Sequence, residues 1–241
     1  MIAADPGQGG ASWAVLQYVL GLRRLGCDVH LIEPVPPESL QPRGTSLLDS
    51  TNGAYFRAVA KSFNLEERAS LLASGTRQTI GRSHESLVGL GRRTDALINI
   101  SGMLTDESLI GAIPVRIYLD LDPGFNQFWQ SQGIDMRLGG HTHFVTIGQA
   151  IGQPECPVPT CGVPWITTLQ PIVLDHWPIG ETIVYDGLTT VGNWRGYGSI
   201  THDGVFYGQK AHSLREFMAL PSMTNEKFIL ALSIHDGEVN D

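Results

Sequence analysis

Short continuous apolar runs alternate along the chain with stretches patterned for helices. From Pro6 to Glu33 the sequence reads PGQGGASWAVLQYVLGLRRLGCDVHLIE. Val15, Leu16, Val19, Leu20 and Leu22 recur there at helical spacing and predict one apolar helix face. Gly7, Gly9 and Gly10 ahead of them predict a tight turn whose backbone N–H groups can approach a ligand. Ser12 is a candidate N-cap. Arg23 and Arg24 suit the last turn, and Gly26 stops the helix. Val29, Leu31 and Ile32 then predict a short buried strand. The stretch reads as the second half of a βαβ unit whose helix N-terminus can hold an anion. Only Met1 to Ala4 precede the loop, so the first strand is very short or the chain starts late.

Residues 34–53 are rich in Pro, Ser and Gly and predict a long loop, in such a domain usually functional or mobile. A helix is predicted over 54–73, with Phe56, Val59, Ala60 and Phe63 on one face, and another over 83–93 carrying Leu87, Val88 and Leu90. Ala96 to Ile100 is a continuous apolar run, as for a parallel strand covered on both faces; the turn Ser101-Gly102 ends it. A short helix near 105–111 leads to a strand at Val115–Leu119, then Asp120-Leu121-Asp122, a helix near 124–131, and a strand over His141–Ile147 ending at Gly148. Residues 152–180 are punctuated by prolines and predict a linker or irregular crossover. Beyond it come a strand at Leu188–Trp194, a Gly/Tyr-rich loop at 196–208, a helix at Ala211–Leu220 and a strand at Phe228–Leu232. Strands alternating with helices argue for an α/β fold with a mostly parallel sheet flanked by helices, and then the opening βαβ of a second such domain. The predicted boundary divides the chain into 1–175 and 176–241.

Composition narrows the picture. A length of 241 residues, 42% hydrophobic and 17% charged, describes an ordinary globular protein with an ample core. The formal net charge of −8 argues against a nucleic-acid or anionic-membrane partner. No apolar run approaches the ~18 residues of a membrane span, and no signal peptide is visible, which predicts a cytoplasmic protein. Cys27, Cys156 and Cys161 read as reduced cysteines, because C-x4-C alone does not make a zinc site.

In open parallel sheets ligands lie outside the carboxyl ends of the strands. That rule nominates Gly7, Gln8, Gly9 and Gly10, then Ser101 and Gly102, the segment Asp122 to Gln127 with Phe125, and Gly148 with Gln149. The loop departs from the dinucleotide fingerprint, since Ser12 stands where its third glycine would be, although Glu33 closes the second strand where a ribose-binding acid would sit; a plain strand-to-helix turn is the competing reading. Asp120 and Asp122 form a DxD at a strand end. Such a pair can hold a divalent cation on a diphosphate; Asp122 can instead cap the helix that follows or act as general base toward a hydroxyl. His141 and His143 form an HxH at the start of their strand, roughly 15–20 Å from the aspartates at about 3.3 Å per residue, which argues against a shared metal. Trp129, Trp165, Trp177, Trp194, Tyr197 and Tyr207 fall in predicted loops, where aromatic faces suit sugar rings or pack the linker. No G-x-S-x-G and no G-x-x-x-x-G-K-[ST] occurs.

The stretch PGQGGASWAVLQYVLGLRRLGCDVHLIEP resembles the N-terminal signature of GT-B-type glycosyltransferases, and PVRIYLDLDPGF, HTHFVTIG, TTVGNWRGYG and VFYGQKAHSLREF resemble blocks of a glycosyltransferase-like group. The resemblance implies two Rossmann-like domains, an acceptor-side domain and the truncated start of a donor-binding domain. It implies sugar transfer from a nucleotide-sugar donor to a small-molecule or glycan acceptor, with no cofactor and no metal. By it, Asp122 and Asp120 are the candidate catalytic residues, and Asn193, Trp194 and Arg195, after the first strand of the second domain, join the ligand-binding residues. It also implies that this chain alone is incomplete and inactive. The alternatives are a metal-dependent hydrolase using Asp120, Asp122, His141 and His143, and a non-catalytic Rossmann-like binding module.

Overall fold

Helix α1 spans Gly9–Arg24 and its buried face carries Val15, Leu16 and Val19, as the periodicity predicts. Its N-cap is Gln8, not Ser12. Ser12 lies inside the first turn, where its hydroxyl meets the Tyr55 hydroxyl at 3.2 Å. The helix stops at Gly26, whose φ of +86° suits glycine, while the Cys27 N–H returns to the Leu22 carbonyl. The structure, a computed structural model, describes residues 1–182, 186–194 and 198–234. Two units follow one another, Met1–Trp177 and Pro178–Asp241.

In the first unit β1 (Leu31–Val35) pairs in parallel with β2 (Ala69–Ala73), and β3 (Thr79–Ile80) adds antiparallel to β2. The helix predicted over 54–73 is thus two elements. Helix α2 covers Thr51–Ser62, with Ser50 accepting the Gly53 N–H at 2.9 Å. It ends before Asn64, whose φ is +52°. Ala69–Ala73 is a strand buried at every position. A five-residue segment, apolar but for Ser70, does not announce its own period, and pairing with β1 decides it. The loop over 34–53 is packed rather than loose: Leu40 and Leu47 are buried, and Asn52 donates to the Ala3 carbonyl and accepts the Gln41 N–H, at 2.7 and 2.8 Å.

A second sheet is four-stranded and wholly parallel, in the order β4 (Ala96–Ile100), β5 (Val115–Asp120), β6 (His143–Thr146), β7 (Trp165–Thr167). Strand β7 lies inside the proline-rich stretch, where its three residues were masked by their punctuated surroundings. Helix α3 (His84–Gly91) leads from β3 into this sheet, and α4 (Glu107–Ile110) and α5 (Phe125–Ser131) supply the crossovers from β4 to β5 and from β5 to β6. Leu71 belongs to one apolar cluster with Val15, Leu16, Phe56 and Ala60; its neighbour Leu72 belongs to another with Leu87, Leu109 and Ile110. Adjacent strand residues point to opposite faces, so α1 and α2 cover one face of β2 and α3 and α4 the other. The first unit is a Rossmann-like α/β fold.

The second unit opens with β8 (Leu188–Asn193), a hairpin of β9 (Ile200–His202) and β10 (Val205–Tyr207), α6 (Lys210–Glu216) and β11 (Phe228–Ser233). Strands β8 and β11 pair in parallel with Leu188 opposite Phe228, which is a βαβ unit. The hairpin occupies part of the predicted Gly/Tyr-rich loop. Among the described residues no helix is long and apolar enough to cross a membrane.

Candidate functional site

Strand β5 delivers Asp120 and Asp122 to the carboxyl edge of the parallel sheet, and the two carboxylates meet opposite environments. Asp120 is fully buried. It accepts hydrogen bonds from Asn126 Nδ2 at 2.6 Å, Gln127 Nε2 at 2.8 Å, Thr146 Oγ1 at 2.7 Å and the Asp122 N–H at 3.0 Å. Four donors satisfy a carboxylate, so Asp120 ties β5 to β6 and to the first turn of α5. The expectation that Asp120 acts catalytically is corrected: its oxygens face protein donors, and nothing approaches them from solvent. Gln127, predicted to touch a ligand, is 1% exposed. Its Nε2 donates to Asp120 and its Oε1 accepts the Gly124 N–H at 2.8 Å, so it too belongs to the frame. Asn126, inside the segment nominated as ligand-binding, is turned inward to Asp120 instead; Thr146 was missed by sequence reasoning, and a threonine ending the next strand is the signal that points to it.

Asp122 lies two residues further on and is half-buried. Its carboxylate makes no hydrogen bond among the described residues, and Gly124, not Asp122, is the N-cap of α5. The helix-cap reading is thereby set aside. Burial, and next the charge of Asp120, push the Asp122 carboxyl above the usual aspartate range. Phe125 and Trp129, one turn apart on α5, meet with ring centroids 5.4 Å apart and planes tilted by 49°.

The neighbouring loops close around this edge. A Cβ on Gly148 would lie 2.6 Å from the Pro123 Cβ, so only glycine lets the β6 turn rest on the Asp122-Pro123 turn. Ser101 and Gly102, at φ of +49° and +62°, end β4, with the Ser101 N–H donating to the Leu119 carbonyl at 2.9 Å. Gly102 is buried, and the space of its missing Cβ is taken by Arg137, whose own Cβ is 2.8 Å away; its role there is packing. The Gly7–Gly10 loop is different. It is largely exposed, and a Cβ on Gly7, Gly9 or Gly10 would meet nothing within 4 Å. Packing does not require these glycines, and the Gly10 and Ala11 N–H groups find no acceptor among the described residues. The segment leading into the loop is fixed by Glu33, whose buried carboxylate accepts the N–H groups of Ile2, Ala3 and Ala4 at 2.9, 2.7 and 3.1 Å. Glu33 stands in mid-strand, not at its end, so the ribose-binding position is not where the sequence placed it. Burial pushes its carboxyl upward against those three bonds.

The histidine pair does not join this site. His143 stands opposite Ile117 while Asp120 stands opposite Thr146, a separation of about 10 Å along the strand at ~3.3 Å per residue. That is shorter than the spacing predicted, because β6 starts at His143. His141 packs edge-on against Tyr118 and lies 3.1 Å from Asn99 Nδ2. The described residues hold no cluster of three or more His, Cys, Asp or Glu side chains able to bind a metal, and all three cysteines are free thiols. The aromatic residues are mostly in regular elements. Trp165 is in β7 and Trp129 in α5, while Trp177 packs against Trp13 with ring centroids 5.0 Å apart. In the second unit Trp194 is 7% exposed under the Arg215 guanidinium, so its ring packs instead of offering a face. Asn193 is exposed at the end of β8; Arg195 and Tyr197 lie outside the described residues.

No protein-family profile, curated protein or solved structure matches this chain. Its class is defined by the fold alone: a Rossmann-like α/β protein with an acidic turn and a bare glycine loop.

Proposed function

We propose that this chain works within a GT-B-type glycosyltransferase, which moves a sugar from a nucleotide-sugar donor to an acceptor hydroxyl. Asp122 is the general base toward that hydroxyl. The N-terminus of α1, bared by Gly9 and Gly10, takes the diphosphate of the leaving group, where oriented N–H groups and the helix dipole stabilise growing negative charge. The reading rests on Asp122: an unpartnered, half-buried carboxylate just beyond the carboxyl end of a parallel strand, raised in pKa and framed by a saturated neighbour. A carboxylate of raised pKa is a stronger base, which suits it to proton removal. The metal-dependent hydrolase alternative loses support because Asp120, His141 and His143 are turned to other partners.

The test is release of nucleoside diphosphate from UDP- and GDP-sugars by the full-length protein. Asp122→Asn is expected to slow turnover by roughly 10²-fold or more, with a change in stability under ~0.5 kcal/mol because no hydrogen bond is lost. His143→Gln is the control and keeps its rate. Equal loss in both variants, or no release from any such donor, would overturn the proposal.

A further inference from the structure

The segment 132–138 leaves α5 and reaches the carboxyl end of β4, where it places Arg137. Three hydrogen bonds fix its backbone. Gln130 Oε1 accepts the Met136 N–H at 2.9 Å, Asp135 Oδ1 accepts the Arg137 N–H at 2.8 Å, and the Met136 carbonyl accepts the hydroxyl of the buried Tyr118 at 3.1 Å. Arg137 is thereby held at φ +59°, a left-handed backbone that a residue with a side chain adopts only at a cost. Its Cβ lies 2.8 Å from where a Cβ on Gly102 would stand, so the turn admits Arg137 because Gly102 is glycine. Ser101, beside Gly102, is left-handed as well, at +49°. Strained residues that their surroundings hold in place gather at ligand sites.

No bond of the guanidinium offsets this cost. Elsewhere in the first unit Arg24 pairs with Asp175, Arg68 pairs with Asp28, and Arg116 donates to the carbonyls of Ile113 and Gly140. Arg137 Nη1 reaches the Met103 thioether at 3.8 Å, a weak acceptor. Among the described residues the guanidinium meets no carboxylate and no carbonyl. Asp135, two residues away, gives its carboxylate to the Arg137 N–H instead. Because Met103 follows the Ser101-Gly102 turn, the guanidinium lies beside the carboxyl end of β4, the neighbour of β5 in the sheet. Asp122 stands just beyond the end of β5. A ligand seated over this edge therefore meets a carboxylate from the β5 turn and a cation from beside the β4 turn. A guanidinium donates two parallel N–H bonds to the oxygens of a carboxylate or a phosphate.

We infer that Arg137 binds an oxyanion, carboxylate or phosphate, carried by the acceptor sugar, which makes that acceptor an acidic sugar. The inference rests on the sugar-transfer reading for the sugar ring and on the Arg137 turn alone for the anion.

The test follows the backbone amide signals of Gly102, Met103 and Arg137 in the isotope-labelled full-length protein as glucuronate, glucose 6-phosphate or glucose is added. Saturable shifts are expected with an acidic sugar, the tighter of the two naming carboxylate or phosphate as the group, and glucose is expected to bind at least about tenfold more weakly. Arg137→Gln is expected to weaken acidic-sugar binding about tenfold at an unchanged melting temperature, since no bond to a carboxylate or carbonyl is lost. Arg137→Lys is expected to fall between, because an ammonium cannot bind bidentately. Arg137→Gly is expected to abolish binding and raise the melting temperature, because glycine takes a left-handed backbone freely; a purely structural arginine would not set the two effects against each other. Absence of saturable shifts with both acids, equal affinity for glucose, or an Arg137→Gln variant that binds as the parent does would each overturn the inference. Arg137-dependent binding of an acidic sugar without release of nucleoside diphosphate would overturn the sugar-transfer reading alone and leave the oxyanion site standing.

Discussion

Two aspartates in one tripeptide divide their work because one residue of separation moves a carboxylate from the interior to the edge. Asp120 ends β5 with its side chain among Asn126, Gln127 and Thr146, while Asp122 has left the strand and meets no donor. Asp120→Asn replaces one acceptor oxygen by an NH₂ that faces other donors. Chemical denaturation is expected to show a loss of about 2–3 kcal/mol, the scale of a buried polar group left unpaired. Burial is the larger cause that raises Asp122 and stays in place; the same substitution withdraws the smaller one, the Asp120 charge, so the acid limb of any Asp122-dependent rate is expected to move to lower pH. An Asp120→Asn variant as stable as the parent would show that the four bonds do not hold the turn.

At the scale of elements, α1 carries two glycines in its first turn that neither packing nor a left-handed backbone demands. Glycine in a helix is about 1 kcal/mol less favourable than alanine. Gly10→Ala is therefore expected to raise the melting temperature, and in the glycosyltransferase reading to weaken diphosphate binding by crowding the exposed N–H groups; thermal denaturation and UDP titration measure the two effects. A fall in stability would show a contact at Gly10 that the structure does not hold. Elements with a clear period or a punctuated end were legible from sequence: α1, α3, β4, β5, and the βαβ of the second unit. The segment Ala69–Ala73 was not, because four apolar residues and Ser70 after a helix continue its pattern equally well as a strand or a further turn. Only the neighbour β1, with Leu31 opposite Ala69, selects the strand.

For the molecule as a whole, stability at mildly acidic pH rests on a group far from the candidate site. His30, at the start of β1, lies 3.1 Å from Ser70 Oγ. Burial first, and then the charge of Arg82, lower its pKa from 6.5 to about 4. In that window the unfolded chain binds a proton that the folded protein refuses, so the stability present above 6.5 is lost as pH falls toward 4. Discounted for the partial exposure of the ring, a decline of about 2 kcal/mol is expected across it, and His30→Gln is expected to flatten the decline. Glu33 and Asp122, both raised, act with the opposite sign: their contributions are present at low pH and lost as pH rises through their folded pKa values. An unchanged acid limb in His30→Gln would place the titrating group elsewhere.

The order of elements, the α/β class and the identity of the acidic turn were determined by the sequence, because periodicity, glycine stops and strand-end polarity are local properties that each segment carries with it. What those polar residues do was decided by tertiary structure. Asp120, Gln127, Gly102 and Trp194 looked available along the chain and are buried in the fold, where Arg137 fills the space beside Gly102 and Thr146 reaches Asp120 from another strand. Burial and hydrogen-bond partnership depend on residues distant in sequence, as Glu33 shows by holding Ile2, Ala3 and Ala4 across a whole helix. The same dependence leaves Asp122 as the unpartnered member of its pair.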